Sequence, residues 1–272
     1  MLAVVLADGS VDFGTRYTVT FTEDPAVVER LVKEFSHVDN LHIKWTIDKL
    51  HNSARARAYG KPLTEMFRSM VGTTRTRKFE TYPRSTREGT GYPTIKLPRE
   101  IFEDKKAAGE FLRYYATCDG GPEFSVYNRA NRWIQIHMGI KIGCTNPYLR
   151  QELKSLFQLN GISTHEALDG LNISSLQGIE KFSQSVRFLE ESRVRRGKLF
   201  RGFPKNDVVS LMILCRRVSL KNQWINRRFG RSEELEAFLR ACINAIKDEG
   251  QLADLFRSIG IEGIPNELTG PS

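Results

Sequence analysis

The sequence predicts an α+β fold made of two αββαββα repeats in one chain, followed by a helical C-terminal extension. Three observations carry this. Asp8-Gly9-Ser10-Val11-Asp12-Phe13 returns as Asp119-Gly120-Gly121-Pro122-Glu123-Phe124, the pattern D-G-x-x-acid-F at an offset of 111 residues. Pro25, Leu31 and Phe35 return as Pro147, Leu153 and Phe157 at an offset of 122. Around these anchors, helical periodicity and strict alternation follow one another in the same order twice. Two matches in one order at similar offsets mark a duplication.

Each copy opens on an apolar run that ends in Asp-Gly. Residues 1–7, taken alone, pass for a buried strand because Val4 and Val5 are β-branched; the matching run in the second copy favours a helix. Alternating residues 17–21 and 133–137 read as strands. PAVVERLVKEF and PYLRQELKSLF then share one shape, with proline in the first turn and apolar residues at helical spacing. Asp24 and Asn146 stand at the N-cap positions. Further strands are expected over 42–47 and 54–59, and over 164–168 and 171–176, with closing helices over 63–70 and 179–188. The partition is a first repeat at 1–72, a linker at 73–99, a second repeat at 100–192 and an extension at 193–272. The linker holds three prolines, two glycines and seven basic residues against Glu80 and Glu88. The extension ends in amphipathic stretches over 233–246 and 252–259, and residues 263–272 read as a frayed tail.

Composition bounds the function. The chain has 272 residues, 40% hydrophobic and 27% charged, with a mean hydropathy of −0.38, which is ordinary for a soluble domain with a sizeable core. The longest apolar run, residues 1–7, is far short of the ~20 residues a membrane helix needs. That run carries no charge and meets Asp8 directly, unlike a secretory signal. The four cysteines, Cys118, Cys144, Cys215 and Cys242, include no C-x-x-C, which points to reduced thiols and a cytoplasmic protein, with organellar encoding left open. No P-loop, G-x-G-x-x-G or G-x-S-x-G occurs, and the five histidines have no metal-binding spacing. The net charge of +9 and pI near 9.4 favour a polyanionic partner. Between Arg193 and Arg231, twelve basic residues stand against Asp207 alone, +11 in 39 residues, while the rest of the chain sums to −2. Val208, Val209, Leu211 and Met212 within that stretch mark it as folded, so its cations are expected on a phosphate-facing surface.

The run Met-Leu-Ala-Val-Val-Leu-Ala-Asp-Gly at the start of the chain resembles the LAGLIDADG helix of homing endonucleases. Leu112-Arg113-Tyr114-Tyr115-Ala116-Thr117-Cys118-Asp119-Gly120, after Phe111, resembles the family's other common spelling. The resemblance covers roughly residues 1–190, including the element order and the duplication. It implies that the two motif helices pack side by side, with Ala3 and Ala7 as the small residues of the first and Cys118 in the slot of Ala7. Asp8 and Asp119 would then meet above a shared groove as the catalytic metal ligands, with Gly9 and Gly120 beside them in the metal site and turning the chain from helix into sheet. Paired carboxylates repel unless a cation lies between them, and hard oxygen ligands select Mg²⁺ or Mn²⁺. The resemblance also implies two sheets forming a saddle over double-stranded DNA. Arg16, Lys44, Arg55, Arg57, Gln135 and Lys141 are the groove-facing candidates by alternation, and Arg195, Arg196, Arg227 and Arg228 the added phosphate contacts of the extension.

Three positions depart from the family pattern. The motif begins at Met1, without a lead-in to the helix. Tyr114 stands where the second helix normally has a small residue, so the crossing must differ locally. Many members carry a basic or amide pair at the end of the second strand, where this chain has Glu23-Asp24 and Thr145-Asn146; Lys61 and Lys141 are the candidate catalytic substitutes. An intein would need a nucleophile at residue 1 and His-Asn at its end, and the chain runs from Met1 to Ser272. The reading is therefore a monomeric, metal-dependent, site-specific DNA endonuclease without a membrane partner. The alternative is a non-cleaving relative, an RNA maturase or a DNA-binding regulator, that uses the same saddle.

Overall fold

The computed structural model describes residues 1–13, 16–38, 41–71, 91–129, 133–195, 197–222 and 229–261. The first repeat runs α1 (Leu2–Asp8), β1 (Gly9–Asp12), β2 (Thr18–Glu23), α2 (Pro25–Phe35), β3 (His42–Asp48), β4 (Ser53–Tyr59) and α3 (Lys61–Val71). After a four-residue helix, α4 (Glu100–Glu103), the second runs α5 (Lys105–Asp119), β5 (Gly120–Arg129), β6 (Trp133–Gly143), α6 (Pro147–Leu159), β7 (His165–Ala167), β8 (Gly170–Ile173) and α7 (Leu176–Ser185). The sheets are antiparallel, ordered β1-β2-β4-β3 and β5-β6-β8-β7, so the αββαββα order and the duplication both hold. Helices α1 and α5 pack together between them, and the repeats are related by an approximate twofold along that pair.

Local chemistry accounts for most boundaries. Helix α1 is helical despite Val4 and Val5 because its central turn is buried on every side: Ala3 and Leu6 enter the central core, Val4 and Val5 the two smaller cores of the first repeat. Asn146 caps α6, its side chain accepting from the Tyr148 and Leu149 amides at 3.0 and 3.1 Å. Asp24 occupies the same position before α2 but makes no capping bond, since its carboxylate is turned to Arg195. The strand expected to reach Leu176 stops at Ile173, because the Ser175 hydroxyl accepts from the Gly178 amide and starts α7.

One expected boundary shifts. Residues 91–99 are not linker: Ile95 and Leu97 are buried in the second repeat's core, and Asn146 Nδ2 donates to the Pro93 carbonyl at 2.9 Å. The rest of the expected linker, 73–90, lies outside the described residues, as does the expected tail 263–272. The extension forms α8 (Lys205–Asn222), α9 (Ser232–Asn244) and α10 (Glu249–Ser258), and it is not a separate layer. The β5–β6 hairpin is longer than its counterpart β1–β2, and Ile134 and Met138 on its inner face share one core with Leu211, Leu235 and Phe256. Arg216 ties α8 to the hairpin by donating to the Met138 carbonyl at 2.7 Å. The extension thus buttresses the long hairpin from behind. No helix among the described residues is long and apolar enough to cross a membrane.

Candidate active site and nucleic-acid interface

The motif helices end side by side. Ala3 and Leu6 of α1 pack with Ala108, Leu112, Tyr115 and Ala116 of α5, which brings both helices to their Asp-Gly ends at one edge of the core. Tyr114 leaves this seam: its hydroxyl donates to Glu34 Oε2 at 2.6 Å and its ring lies 6.4 Å from Phe35, so the large residue is absorbed by α2. Asp8 and Asp119 are both exposed at the helix ends. They act on the same neighbour. Burial pushes the Cys118 thiol well above its ordinary range, Glu23 adds to this, and Asp8 and Asp119 contribute further, against the pull of Lys205.

The two motif glycines are required by crowding. Gly9 and Gly120 have φ of −120° and −129°, extended values open to any residue, so the expected conformational reason is replaced by a steric one. A Cβ on Gly9 would lie 2.6 Å from Val5 Cα and 2.9 Å from the Thr20 carbonyl oxygen; on Gly120 it would lie 2.7 Å from the Ala116 carbonyl oxygen. A third glycine, which sequence reasoning missed, shapes the centre. A Cβ on Gly143, at the end of β6, would sit 2.7 Å from Asp119 Oδ1, so its absence is what admits that carboxylate. No spacing rule singles it out.

Beneath the acidic ends lies a buried charge cluster. Lys205, the first residue of α8 and 6% exposed, donates from Nζ to the Thr117 carbonyl at 2.8 Å and the Gly120 carbonyl at 2.6 Å, capping the C-terminal end of α5. Burial pushes this ammonium down from its usual range, while Glu23 pulls it back. Glu23, 2% exposed at the end of β2, is pushed up to about 7 by burial, with Arg195 and Lys205 opposing. Its Oε2 has no hydrogen-bond partner. Arg195 forks onto Glu23 and, from Nε at 3.2 Å, onto Asp24. Two sequence expectations change here. Arg195 is committed to internal carboxylates rather than to phosphate. The carbonyl of Gly120, a residue expected in the metal site, accepts from the Lys205 ammonium, whose like charge disfavours a divalent cation on the same oxygen. The sequence signal for Lys205 was only its membership of the basic stretch.

The remaining candidates sit on or beside the two sheets. In the first, Val19, Phe21, Ala54, Ala56 and Ala58 face the core, which turns Lys44, Arg55 and Arg57 to the open face. Lys44 lies directly opposite Arg57, and Arg55 opposite Thr46, with Thr20 and Thr22 beyond on β2. Among the described residues none of these three cations has a hydrogen-bond or ion-pair partner. Arg16 is exposed in the turn between β1 and β2. In the second sheet, Gln135, His137 and Lys141 share one side of β6 by alternation; Lys141 pairs with Asp169 at 2.7 Å, and His137 Nε2 lies 3.6 Å from Glu123 Oε2. The Lys141 bond holds the Asp169 carboxyl below its usual range. Gln135 Oε1 is buried and has no hydrogen-bond partner, so this oxygen is not presented to a ligand on the open face. Lys61 opens α3 beyond Tyr59, at the end of the first sheet opposite Gly9, and pairs with Glu65 at 3.6 Å. The structure therefore does not bring it to the acidic centre, whereas Lys141, paired in register with Gly121, lies beside it. Arg196, Arg227 and Arg228 lie outside the described residues.

Among the described residues no group of three or more His, Cys, Asp or Glu side chains is placed to hold a metal ion. Two exposed carboxylates nevertheless fit Mg²⁺ or Mn²⁺, because Mg²⁺ keeps several waters and is typically held by one or two carboxylates plus substrate phosphate.

No protein-family profile and no curated protein matches the chain. Among solved structures it is similar to the homing endonuclease I-DmoI in complex with DNA and Ca, at 13% identity over 68% of this chain and 85% of that one, with a TM-score of 0.39. It is also similar to full-length DUF199/WhiA from Thermatoga maritima, at 14% identity over 96% and 83% of the two chains, TM-score 0.42. The meganuclease I-SmaMI bound to uncleaveable DNA matches at 12% identity over 90% and 96% of the two chains, TM-score 0.48, so that two of these three neighbours are homing endonucleases of the LAGLIDADG type.

Proposed function

We propose that the chain is a single-chain, site-specific double-strand DNA endonuclease that hydrolyses phosphodiesters at Asp8 and Asp119 with Mg²⁺ or Mn²⁺. The observation that carries the reading is the convergence of two duplicated Asp-Gly ends, both exposed and both acting on Cys118, at one end of a paired-helix seam. A pure binding surface has no need of two converging carboxylates. A divalent ion held there supplies Lewis-acid polarisation of the phosphodiester and an activated water. The chain's own part is to present hard oxygens at the seam and to align the duplex.

Alignment falls to the open faces of the sheets. Lys44, Arg55 and Arg57, without partners among the described residues, suit phosphates or guanine edges. Because one face carries three cations without partners among the described residues, whereas Lys141 of the other is paired with Asp169, the two halves of the DNA site need not be alike. The chain would then read an asymmetric site as a monomer. The decisive experiment is a cleavage screen of duplex DNA, including the intron-less allele of the host gene, in Mg²⁺ and Mn²⁺. Asp8→Asn and Asp119→Asn should each abolish cutting while leaving duplex affinity similar or slightly higher. One observation favours the second reading, a non-cutting RNA maturase or DNA-binding regulator: the Gly120 carbonyl is taken by Lys205. Tight binding without nicking in either metal would decide for it.

A further inference from the structure

The acidic centre is gripped from outside the two repeats. A single short stretch of the extension carries both cations of the buried cluster. Arg195 reaches the first repeat at Glu23 and Asp24, and Lys205 reaches the second at the carbonyls of Thr117 and Gly120. The two are held at a set distance from each other. Arg193 bridges to Pro204, the Lys205 amide donates to the Ser192 carbonyl at 3.0 Å, and the Val194 amide donates to the Phe203 carbonyl at 2.9 Å. Asn206, next in sequence, closes the same corner by bonding both the amide and the carbonyl of Phe188 at 3.0 Å.

Stability alone does not explain this arrangement. Taking an ammonium out of water costs several kcal/mol, and a buried ion pair returns it only with excellent geometry. Water or an exposed lysine would satisfy the same helix-end carbonyls. Here the cation is buried one residue from Asp119, and Glu23 beside it keeps one oxygen without a hydrogen bond. We infer that Lys205 and Arg195 are positioning residues of the acidic centre: they fix the ends of the two repeats, and so Asp8 and Asp119, relative to each other. The inference rests on the endonuclease reading. It makes the extension part of the active centre and not a DNA clamp.

The test uses the full chain with Lys205→Met, Arg195→Met and Arg195→Lys. Three quantities are measured: single-turnover cleavage of a duplex the wild type cuts, affinity for that duplex in Ca²⁺, and Mn²⁺ affinity from the electron paramagnetic resonance signal of the free ion. Each methionine variant should cut about 10–100-fold more slowly, a loss of the size seen when groups that orient a metal site are removed. DNA affinity should stay within about twofold, and Mn²⁺ should bind equally or more tightly, because a positive charge beside the carboxylates is gone. Arg195→Lys should recover most of the rate. A merely structural role gives another pattern, in which all three quantities fall with the melting temperature and return on cooling; that result overturns the inference. If Lys205→Met does not fold, the half-exposed Arg195 pair of variants decides alone. Wild-type cutting that neither cation affects defeats the inference and leaves the endonuclease reading standing. A wild type that binds Mn²⁺ but never cuts defeats the endonuclease reading and, with it, the inference. A wild type that does neither defeats both.

Discussion

Removing the three unpaired cations of the first sheet should change how DNA binding responds to salt. Lys44, Arg55 and Arg57 face outward from β3 and β4, and Lys44 stands directly opposite Arg57, so like charges confront each other with no acid between them. Such a pairing disfavours the sheet, and a phosphate backbone relieves it. Each cation that neutralises a phosphate on B-DNA contributes about −0.9 to the slope of log K against log salt. The triple alanine variant should therefore have a slope shallower by about 2.7. Between 50 and 200 mM salt, wild-type affinity should fall roughly 40-fold more than that of the variant. Fluorescence anisotropy on a labelled random duplex measures this without knowledge of the target. Circular dichroism should show an unchanged or higher melting temperature, since no partner is lost. Arg195→Ala is the internal control: its guanidinium already serves Glu23 and Asp24, so the slope should not move. A slope change below about 1 in the triple variant, or an equal change in Arg195→Ala, would refute the assignment of the DNA face.

Three glycine substitutions test the crowding at the centre. Gly120→Ala forces a Cβ to 2.7 Å from the Ala116 carbonyl oxygen and should lower stability by about 1–3 kcal/mol, whereas Gly121→Ala meets nothing within 4 Å and should be close to neutral. Gly143→Ala must displace the Asp119 carboxylate and should depress cleavage beyond its effect on melting temperature; cleavage falling only in step with stability would count against the reading. Glu23 gives a pH signature. Its carboxyl is raised from 4.5 to about 7, so the folded chain holds the proton longer than the unfolded one. The stability this contributes is full below pH 4.5 and is lost as pH rises to about 7, on the order of 3 kcal/mol in all. Glu23→Gln should flatten the melting-temperature profile across that window, and a parallel profile would mean that Glu23 does not titrate there.

Much of the architecture was legible because it follows from short-range rules. Proline at the first turn of α2 and α6, alternation along β2, β4 and β6, and the repeated D-G-x-x-acid-F each constrain a few consecutive residues through local sterics and burial on one face. The same alternation turned Lys44, Arg55 and Arg57 to the open face, since a strand with Ala54, Ala56 and Ala58 in the core has no other place for them. Where two states of one segment were locally close, as for residues 1–7, the duplication supplied the choice and the burial of Ala3, Val4, Val5 and Leu6 on all sides explains it.

The internal wiring of the centre was not legible, because it joins residues far apart in sequence. Lys205 serves a carbonyl 88 residues upstream, Tyr114 finds Glu34 80 residues away, and Gly143 matters only because Asp119 folds over it. Composition made Arg195 and Lys205 two more cations in a basic stretch; packing decided that they face carboxylates and helix-end carbonyls instead of solvent. A cation's partner is set by which opposite charges are desolvated beside it, and desolvation is a property of the assembled core. The sequence by itself thus determined the repeats and the alternation that turns Lys44, Arg55 and Arg57 outward. The tertiary structure alone decided which cations face outward and which are taken up by internal carboxylates and helix-end carbonyls.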